Sequence, residues 1–273
     1  MVKKTDGNNK MKILLYPDDH THKKYKIAKI KPYIETMGIE LAKSAEDNFD
    51  LIFYQSYHKY IRKHDDFLRE MSKKYDIINI GGDDTTKTRN EKIMKQVFGY
   101  NSIATSEDKV ILEKSEKQGA HDITVVDKIR NKPNFIYVKM IDNRVSDDTV
   151  RDLRIFVFDY KVKAVIIKDK PIEKRFGGAV DAVIRWDDDY ADYLLTEDEI
   201  DKIEEFCRVY ETHYAEIDAC RDTDGRLYIV DNNNVPSYSM RMRELFERDN
   251  KKYLQILSKW FYEMLKNHTY GSR

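Results

Sequence analysis

Two aspartates and an asparagine in the segment AEIDACRDTDGRLYIVDNNNVPS, residues 215–237, have the types and spacing of metal ligands. Apolar residues alternate on both sides of DTDG, 222–225, as in two strands joined by a turn. With the turn centred on its last two residues, Asp218 lies opposite Asp231, where like charges destabilise a hairpin. Asn233 shares the facing of Asp231, because side chains alternate along a strand. Oxygen ligands suit Mg²⁺, so the hairpin predicts a magnesium site; a solvated hairpin is the alternative.

Composition and charge indicate a globular protein and exclude some partners. The 273 residues are 41% hydrophobic and 36% charged, which suits one large domain or two to three lobes around a core. Lys plus Arg equals Asp plus Glu, at 49 each, so no net field attracts nucleic acid or an anionic membrane. No apolar run approaches about 18 residues, the length of a membrane span. We therefore expect neither a nucleic-acid nor a membrane partner.

The two cysteines, Cys207 and Cys220, favour a reducing compartment. Free thiols in a chain of this size are typical of cytoplasmic proteins, and a disulfide between the two is the alternative. The first residues, MVKKTDGNNKMKILLYP, include lysines but too short an apolar run for a signal peptide. We expect a cytoplasmic protein.

The first hundred residues alternate between strand and helix patterns. Strands are predicted at 11–16, 50–55 and 75–82, and helices at 23–37, 59–74 and 86–98. This alternation predicts a small parallel sheet with helices on both faces. In such sheets ligands bind beyond the carboxyl ends of the strands.

After Gly99 the pattern changes to antiparallel strands. Further strands are predicted at 109–115, 122–127, 134–142, 151–159, 161–169 and 180–186. A helix is predicted over 196–212, with Thr196 as N-cap and Glu199 in the capping-box position. Residues 239–266 read as one long or broken helix. The fold class is therefore α/β with α+β lobes.

The order of these elements resembles the ATP-grasp superfamily, the fold of D-alanine–D-alanine ligase and of ligases that add glutamate to proteins. The hairpin is the most specific element, since an aspartate, a glycine turn and then acid-x-Asn-x-x-Pro are typical of the family. Asp218, Asp231, Asn233 and Pro236 stand at those positions, with Asp231 where glutamate is usual. The resemblance implies that these side chains hold one or two Mg²⁺ ions against the phosphates of ATP.

The resemblance also implies four basic contacts to those phosphates. The strand RDLRIFVF is similar to the family's Asp-x-Arg strand, which puts Arg154 at the terminal phosphate, and the partner strand supplies Lys168. A guanidinium fork suits charge neutralisation in phosphoryl transfer. Lys114 matches the lysine of the lid strand, Lys87 matches the lysine of the preceding helix, and Gly119 lies in a lid loop that has one glycine rather than several.

Hinge and substrate residues follow from the same resemblance. The segment FIYVKMID is similar to the hinge strand that reads adenine through its backbone, which implies a hinge of Lys139, Met140 and Ile141. Asp142 is a candidate ribose partner, with Asp147 and Asp148 as rivals. Arg175, before FGGAV, is a candidate for recognition of a substrate carboxylate. The alternative for each is an ordinary core or surface residue.

Other constellations point to weaker hypotheses. His20 and His22 share a facing in DDHTH and could bind a transition metal, but no third ligand is in view. A substrate loop is the better interpretation, because the segment lies at the end of the first strand. The sequence has no Ser-His-Asp signature, no GxGxxG and no Walker-type lysine loop. These absences argue against a hydrolase triad, a Rossmann dehydrogenase and a P-loop NTPase.

The predicted organisation has three segments: an N-terminal α/β lobe at 1–98, a reduced lid at 99–142 and a C-terminal lobe with the metal and phosphate site at 143–273. The function that the resemblance implies is an ADP-forming ligase of the carboxylate–amine type. It would use ATP and Mg²⁺ and join a carboxylate to an amine or another nucleophile through an acyl phosphate. Its substrates would be small-molecule or peptide carboxylates and amines, and a homodimer is left open. A kinase on the same fold and a non-catalytic nucleotide-binding protein are the alternatives.

Overall fold

The computed structural model describes residues 10–16, 26–55, 65–83, 86–116, 123–176, 183–187, 194–234 and 250–270. Within these ranges, the residues up to Ile80 and from Asn250 form one compact unit, and those from Gly81 to Asn234 form a second. These units do not coincide with the three predicted segments, which stay a prediction about domain organisation. Gly119, Pro236, His20 and His22 lie outside the described residues.

The first unit contains a parallel sheet and three helices. Its elements are β1 (Met11–Tyr16), α1 (Lys26–Thr36), β2 (Ile39–Leu41), β3 (Leu51–Tyr54), α2 (Asp65–Met71), β4 (Asp76–Ile78) and, from the end of the chain, α5 (Asn250–Tyr270). The strand order is β2-β1-β3-β4, and all three pairings are parallel. The predicted parallel sheet is confirmed. Its central strands β1 and β3 are short apolar runs that are almost entirely buried, as is typical of parallel sheets. The edge strands β2, which the sequence pattern did not predict, and β4 each include an exposed acidic residue.

The predicted strand over 75–82 is wrong in its second half. β4 ends at Ile78, Asn79 has a φ of 66°, and Ile80–Asp83 form a 3₁₀ turn. A left-handed residue cannot continue a strand, and asparagine adopts that conformation more readily than most residues. The side-chain amide of Asn79 donates to the carbonyl of Tyr54, which holds this turn against the end of β3.

The second unit contains two antiparallel sheets and two helices. Its elements are α3 (Lys87–Phe98), β5 (Ile111–Ser115), β6 (Ile123–Val126), β7 (Phe135–Lys139), β8 (Thr149–Phe158), β9 (Lys161–Pro171), β10 (Val183–Asp187), α4 (Glu197–Tyr210), β11 (Tyr214–Arg221) and β12 (Leu227–Asn233). One sheet has the order β6-β5-β7, and the larger one has the order β10-β9-β8-β11-β12. Every predicted strand of this region is present.

The two faces of the larger sheet differ because apolar and polar residues alternate along its strands. One face is apolar and packs against α3 and α4, with Ile155, Val165 and Ile217 among its fully buried side chains. The opposite face carries charged residues from β8, β9, β11 and β12. Burial of the apolar face therefore fixes which side chains are presented on the polar one.

The predicted start of α4 is confirmed in detail. The Thr196 side chain accepts a hydrogen bond from the Glu199 amide, and the Glu199 carboxylate accepts one from the Thr196 amide. Cys207 and Cys220 are both free and buried. Among the described helices, none is long and apolar enough to cross a membrane.

Candidate functional site

The hairpin of β11 and β12 pairs Asp218 with Asp231, as the sequence predicts. Near the turn, however, the pairing is shifted by one residue from the predicted register, so that Ala219 pairs with Ile229 rather than with Val230. Val230 is the extra residue, and the resulting β-bulge restores the pairing of the two aspartates. Bulges of this kind redirect side chains and occur beside active sites.

Asp218 accepts hydrogen bonds from three side chains on three neighbouring strands. Arg154 on β8 donates through Nε to Oδ1 at 2.9 Å and through Nη2 to Oδ2 at 2.7 Å. Lys168 on β9 donates to Oδ1 at 2.8 Å, and Asn233 on β12 donates through Nδ2 to Oδ2 at 3.1 Å. The structure thus brings together four residues that the sequence places up to 79 positions apart, from Arg154 to Asn233.

The charges in this cluster shift one another's pKa values. Burial alone would raise the pKa of Asp218, but the cations of Arg154 and Lys168 hold it well below its usual range. Burial lowers the pKa of Lys168, while the adjacent Asp218 carboxylate acts in the opposite direction. The cluster is therefore a set of paired charges, in which the two cations and the carboxylate stabilise one another.

A second group of charges lies where α3 and β5 approach β12. Lys87 Nζ is 3.8 Å from Asp231 Oδ1, and both side chains are largely buried. The pKa of Lys114 is lowered, first by burial and then by the neighbouring charge of Lys87. The carboxylates of Glu91 on α3 and of Asp231 act in the opposite direction on Lys114. Ser102 donates to Glu91 from its amide at 2.7 Å and from its hydroxyl at 2.6 Å.

The predicted hinge follows β7. The amide of Met140 donates to the carbonyl of Val110, and the amide of Lys139 donates to Ser102. Lys139 Nζ donates to the Tyr228 hydroxyl at 3.0 Å. Lys139 therefore lies on the polar side of the larger sheet, close to the hairpin.

Asp142, the predicted ribose partner, and Arg175, the predicted substrate residue, both make hydrogen bonds at the hinge. Asp142 accepts hydrogen bonds from Arg144, the shortest at 2.6 Å. Arg175 donates through Nη2 to the Ile141 carbonyl at 3.2 Å and to Asn143 Oδ1 at 2.8 Å. In this arrangement Arg175 is hydrogen-bonded to the hinge. Its role in binding a substrate carboxylate stays a prediction.

Solved structures with this arrangement of elements include several ligases. PsnB, an ATP-grasp ligase complexed with precursor peptide PsnA2 and AMPPNP, matches 96% of this chain and 99% of its own, with a TM-score of 0.57 and 11% identity. D-alanine–D-alanine ligase from Bacillus anthracis matches 96% of this chain and 100% of its own, with a TM-score of 0.56 and 12% identity. This chain has the ATP-grasp fold.

The macrocyclase MdnC bound to precursor peptide MdnA from Microcystis aeruginosa MRC has the same fold, with a TM-score of 0.58 and 13% identity over 94% of this chain and 100% of its own. Neither a family model nor a curated protein matches the sequence. The ATP-grasp likeness is therefore one of three-dimensional structure, which spans nearly the whole chain although few residues are identical.

The oxygen donors in this ATP-grasp chain suit a hard divalent cation. Asp218, Asp231 and Asn233 offer carboxylate and amide oxygens on adjacent strands, which is the ligand chemistry of Mg²⁺. The described residues contain no group of three or more His, Cys, Asp or Glu placed to hold a metal ion. The predicted set consists of two carboxylates and one amide. The donor types fit the predicted metal.

Sequence reasoning missed three charged residues on the polar face of the ATP-grasp sheet. Glu216, two residues before Asp218, is fully buried, with Oε2 at 3.6 Å from Arg154 Nη1. Asp152 and Lys170 flank the cluster and form an ion pair with each other. Each lies two residues from a predicted site residue, so the period of two along a strand was the signal that could have found them.

Proposed function

We propose that this protein is an ATP-dependent, ADP-forming ligase that joins a carboxylate to an amine. The observation that supports it is the convergence of Lys87, Lys114, Arg154 and Lys168, from four elements, on the oxygen donors of one hairpin. A cluster that offers this many cations beside carboxylates suits a polyphosphate with a divalent cation.

The four basic side chains have different proposed roles because of where they lie. Lys87 and Lys114, from α3 and β5, would hold the inner phosphates, and their largely buried positions strengthen each contact. Arg154 and Lys168, from the centre of the larger sheet, would contact the phosphoryl group that is transferred. The planar fork of Arg154 matches two phosphate oxygens at once.

Asp218, Asp231 and Asn233 are the residues that would hold Mg²⁺, which would supply positive charge against the phosphate oxygens. Lys139, Met140 and Ile141 are the proposed hinge around adenine, and Asp142 is the proposed partner of the ribose. Arg175 keeps its proposed role at the substrate carboxylate. Gly119, in the proposed lid loop, belongs to the same hypothesis.

The proposed reaction has two steps. A substrate carboxylate oxygen attacks the γ-phosphorus of ATP, the bond to the β-phosphate oxygen breaks, and ADP leaves. An amine then attacks the acyl phosphate carbon, loses a proton and expels inorganic phosphate, so an amide forms. This chemistry needs no protein nucleophile, and the residues act by position and charge.

The substrate class is proposed as a peptide or a small molecule. PsnB and MdnC were solved with precursor peptides, whereas the D-alanine–D-alanine ligase is named for a small amino acid. A kinase is the second candidate, because the same phosphate-binding cluster would serve a reaction that ends at a phosphorylated product. A non-catalytic nucleotide-binding protein is the third, because the predicted lid is short.

Product analysis with labelled substrates tests the proposal. The protein is incubated with ATP, Mg²⁺ and pools of ¹⁸O-labelled carboxylates, with and without a pool of amines and amino-terminal peptides. We expect ADP and inorganic phosphate, formed in an amine-dependent way, with ¹⁸O transferred from the carboxylate to phosphate. Hydroxylamine should trap the intermediate as a hydroxamate.

The other outcomes identify the alternatives. AMP and pyrophosphate would rule out the acyl phosphate. A phosphorylated product that ignores amines would assign the protein as a kinase. Nucleotide binding without turnover in any pool would leave a binding protein.

A further inference from the structure

Asp218 has all of its acceptor capacity in use. An ionised carboxylate offers about four lone-pair sites, two on each oxygen. Oδ1 accepts from Arg154 Nε and Lys168 Nζ, and Oδ2 accepts from Arg154 Nη2 and Asn233 Nδ2. A cation can therefore coordinate Asp218 only by displacing at least one of these donors.

Arg154 and Lys168 are committed to the same carboxylate. Two of the three guanidinium nitrogens of Arg154 contact Asp218, and the third lies 3.6 Å from Glu216. The Lys168 and Arg154 side chains are only 14% and 21% exposed, so water cannot replace a lost counter-ion fully. These cations can turn to a phosphate only if they release Asp218.

Asp231, the other carboxylate of the proposed metal site, is held less tightly. Its contact with Lys87 is 3.8 Å long, beyond hydrogen-bond distance. The two acids of the site are therefore not equivalent. Asp231 can accept a metal ion without breaking a hydrogen bond to Lys87, whereas Asp218 must exchange partners.

We propose that Asp218 is an internal counter-ion which exchanges Arg154 and Lys168 for Mg²⁺ when a magnesium nucleotide binds. The phosphates take over the two cations as the metal takes over the carboxylate. Metal and phosphate then favour each other's binding, because each one releases the groups that the other needs. This inference rests on the proposed function and specifies how its site is regulated by the metal.

The first test measures the affinity for AMPPNP, an ATP analogue that keeps all three phosphates, with excess Mg²⁺ and with EDTA, by calorimetry. In the Asp218→Asn variant the two cations are released from a charged partner. In EDTA this variant should therefore bind AMPPNP more tightly than wild type does. Coupling of this kind typically amounts to about 5- to 150-fold, and we expect a gain within that range. The ratio of affinities with and without Mg²⁺ should fall accordingly.

Asp152→Asn is the matched control, because it removes the same charge from the same sheet face. Its partner is Lys170, so Arg154 and Lys168 keep Asp218. In EDTA, the nucleotide affinity of Asp152→Asn should exceed that of wild type by less than about threefold, which is below the range expected for a coupled site. Circular dichroism and thermal melting confirm that both variants are folded.

The reciprocal test needs no nucleotide and does not use the Asp218 variant. Mn²⁺ alone is titrated by electron paramagnetic resonance into wild type, Lys168→Met and Lys163→Met, the last on the same strand as a control. Removal of Lys168 frees a lone pair of Asp218, so Mn²⁺ should bind about tenfold more tightly to Lys168→Met than to the other two proteins.

The outcomes separate this inference from the proposed function. If wild type binds AMPPNP but neither Asp218→Asn nor Lys168→Met shows its gain in affinity, the exchange is wrong and the ligase proposal stands. If both control variants gain as much affinity as the test variants, the effect comes from the change in overall charge and the exchange is again wrong. If no protein binds AMPPNP in either condition, the proposed function and the inference fall together.

Discussion

At the scale of residues, the Arg154 side chain has two proposed roles: it pairs with Asp218 in the protein alone, and it contacts phosphate when the nucleotide is bound. The bidentate contact between them sets the orientation of the guanidinium on the polar sheet face. A planar group held in this way is already oriented toward the region where Lys168 and Asn233 also point. Once Asp218 releases it, the same fork can contact two oxygens of the transferred phosphoryl group. We expect this contact to matter more for the transfer step than for the binding of the nucleotide.

Arg154→Lys tests that expectation, since it keeps the charge and loses the fork. We expect turnover to fall by about 10²-fold or more, while the affinity for ADP changes by less than about tenfold. The measurements are steady-state ADP release and ADP calorimetry. Arg151→Lys, on the same strand and paired with Asp169, is the control and should change neither. Equal losses in turnover and affinity would reduce Arg154 to a binding residue.

Lys114→Met tests the proposed contact with the inner phosphates. AMP lacks a β-phosphate, so the variant should lose affinity for ATP by about tenfold or more and lose little for AMP, given the strength of a charge-assisted contact in a buried position. Calorimetric titration of both nucleotides measures the difference. If the two affinities fall equally, Lys114 is a structural residue of the strand.

The lowered pKa values of Lys114 and Lys168 predict a pH dependence of nucleotide binding. Burial lowers both values, so these lysines lose their charge at a lower pH than ordinary lysines, whose pKa is about 10.4. Loss of the cation weakens phosphate binding, and affinity for ADP should therefore decline as pH rises before that value is reached. Lys114→Arg should extend binding to higher pH; an unchanged profile would contradict this origin.

At the scale of elements, the position of α3 decides where Lys87 and Glu91 lie. Arg89 on this helix donates to the carbonyls of Gly81 and Tyr210, and its guanidinium stacks 4.3 Å from the Tyr210 ring. The Gly81 amide in turn donates to the Glu211 carbonyl. The start of α3 is thus tied to the end of α4 through a close backbone contact.

Gly81→Ala should disturb that contact. A Cβ at this position would lie 1.9 Å from the Tyr210 carbonyl oxygen, so the backbone has to shift. We expect destabilisation by about 1–3 kcal/mol and a weaker affinity for ADP, because Lys87 moves with its helix. Urea unfolding and ADP calorimetry measure the two effects.

Gly99→Ala, at the other end of α3, is the comparison for this prediction. It should cost about 1–2 kcal/mol through its left-handed backbone, with a φ of 82°, and leave ADP binding intact. The affinity, rather than the stability, separates the two variants. An unchanged affinity in Gly81→Ala would show that Lys87 does not depend on this contact.

At the scale of the whole molecule, the two ends of the described chain belong to the same unit. Residues of α5 pack with the parallel sheet and α1 of the first unit, and Phe261 lies edge-on to Phe53 with ring centroids 4.9 Å apart. Both rings are fully buried. The described part of the first unit therefore includes α5, which packs against its parallel sheet.

Phe261→Ala should destabilise the first unit by about 3–5 kcal/mol, the usual cost of removing a buried phenyl ring. Thermal and urea unfolding measure it. Lys266→Ala, an exposed position on the same helix, should change stability by less than about 0.5 kcal/mol. A loss for Phe261→Ala no larger than that of the control would mean that α5 does not contribute to the core.

Local and periodic features of this protein were open to prediction from its sequence. Most of the strands, α3, and the capping box of Thr196 and Glu199 follow from neighbouring residues or from a period of two or 3.6. The short strand β2 and the turn after Ile78 were not predicted. Asp218 was correctly predicted to lie opposite Asp231, but this pairing depends on the bulge at Val230. The ATP-grasp fold was predicted from the resemblance of the hairpin motif together with the order of the elements. These signals are short-range, so the chain expresses them wherever its elements lie in space.

Only the tertiary structure decided how the site residues contact one another. Which strands become neighbours determines three features of the site. These are the bulge at Val230, the hydrogen bonds from Arg154 and Lys168 to Asp218, and the hydrogen bonds from Arg175 to the hinge. Strand order and register arise from burial of the apolar sheet face, a property of the whole unit rather than of any segment. A carboxylate in sequence is therefore a candidate ligand, and its partners across the sheet determine how tightly it is already held.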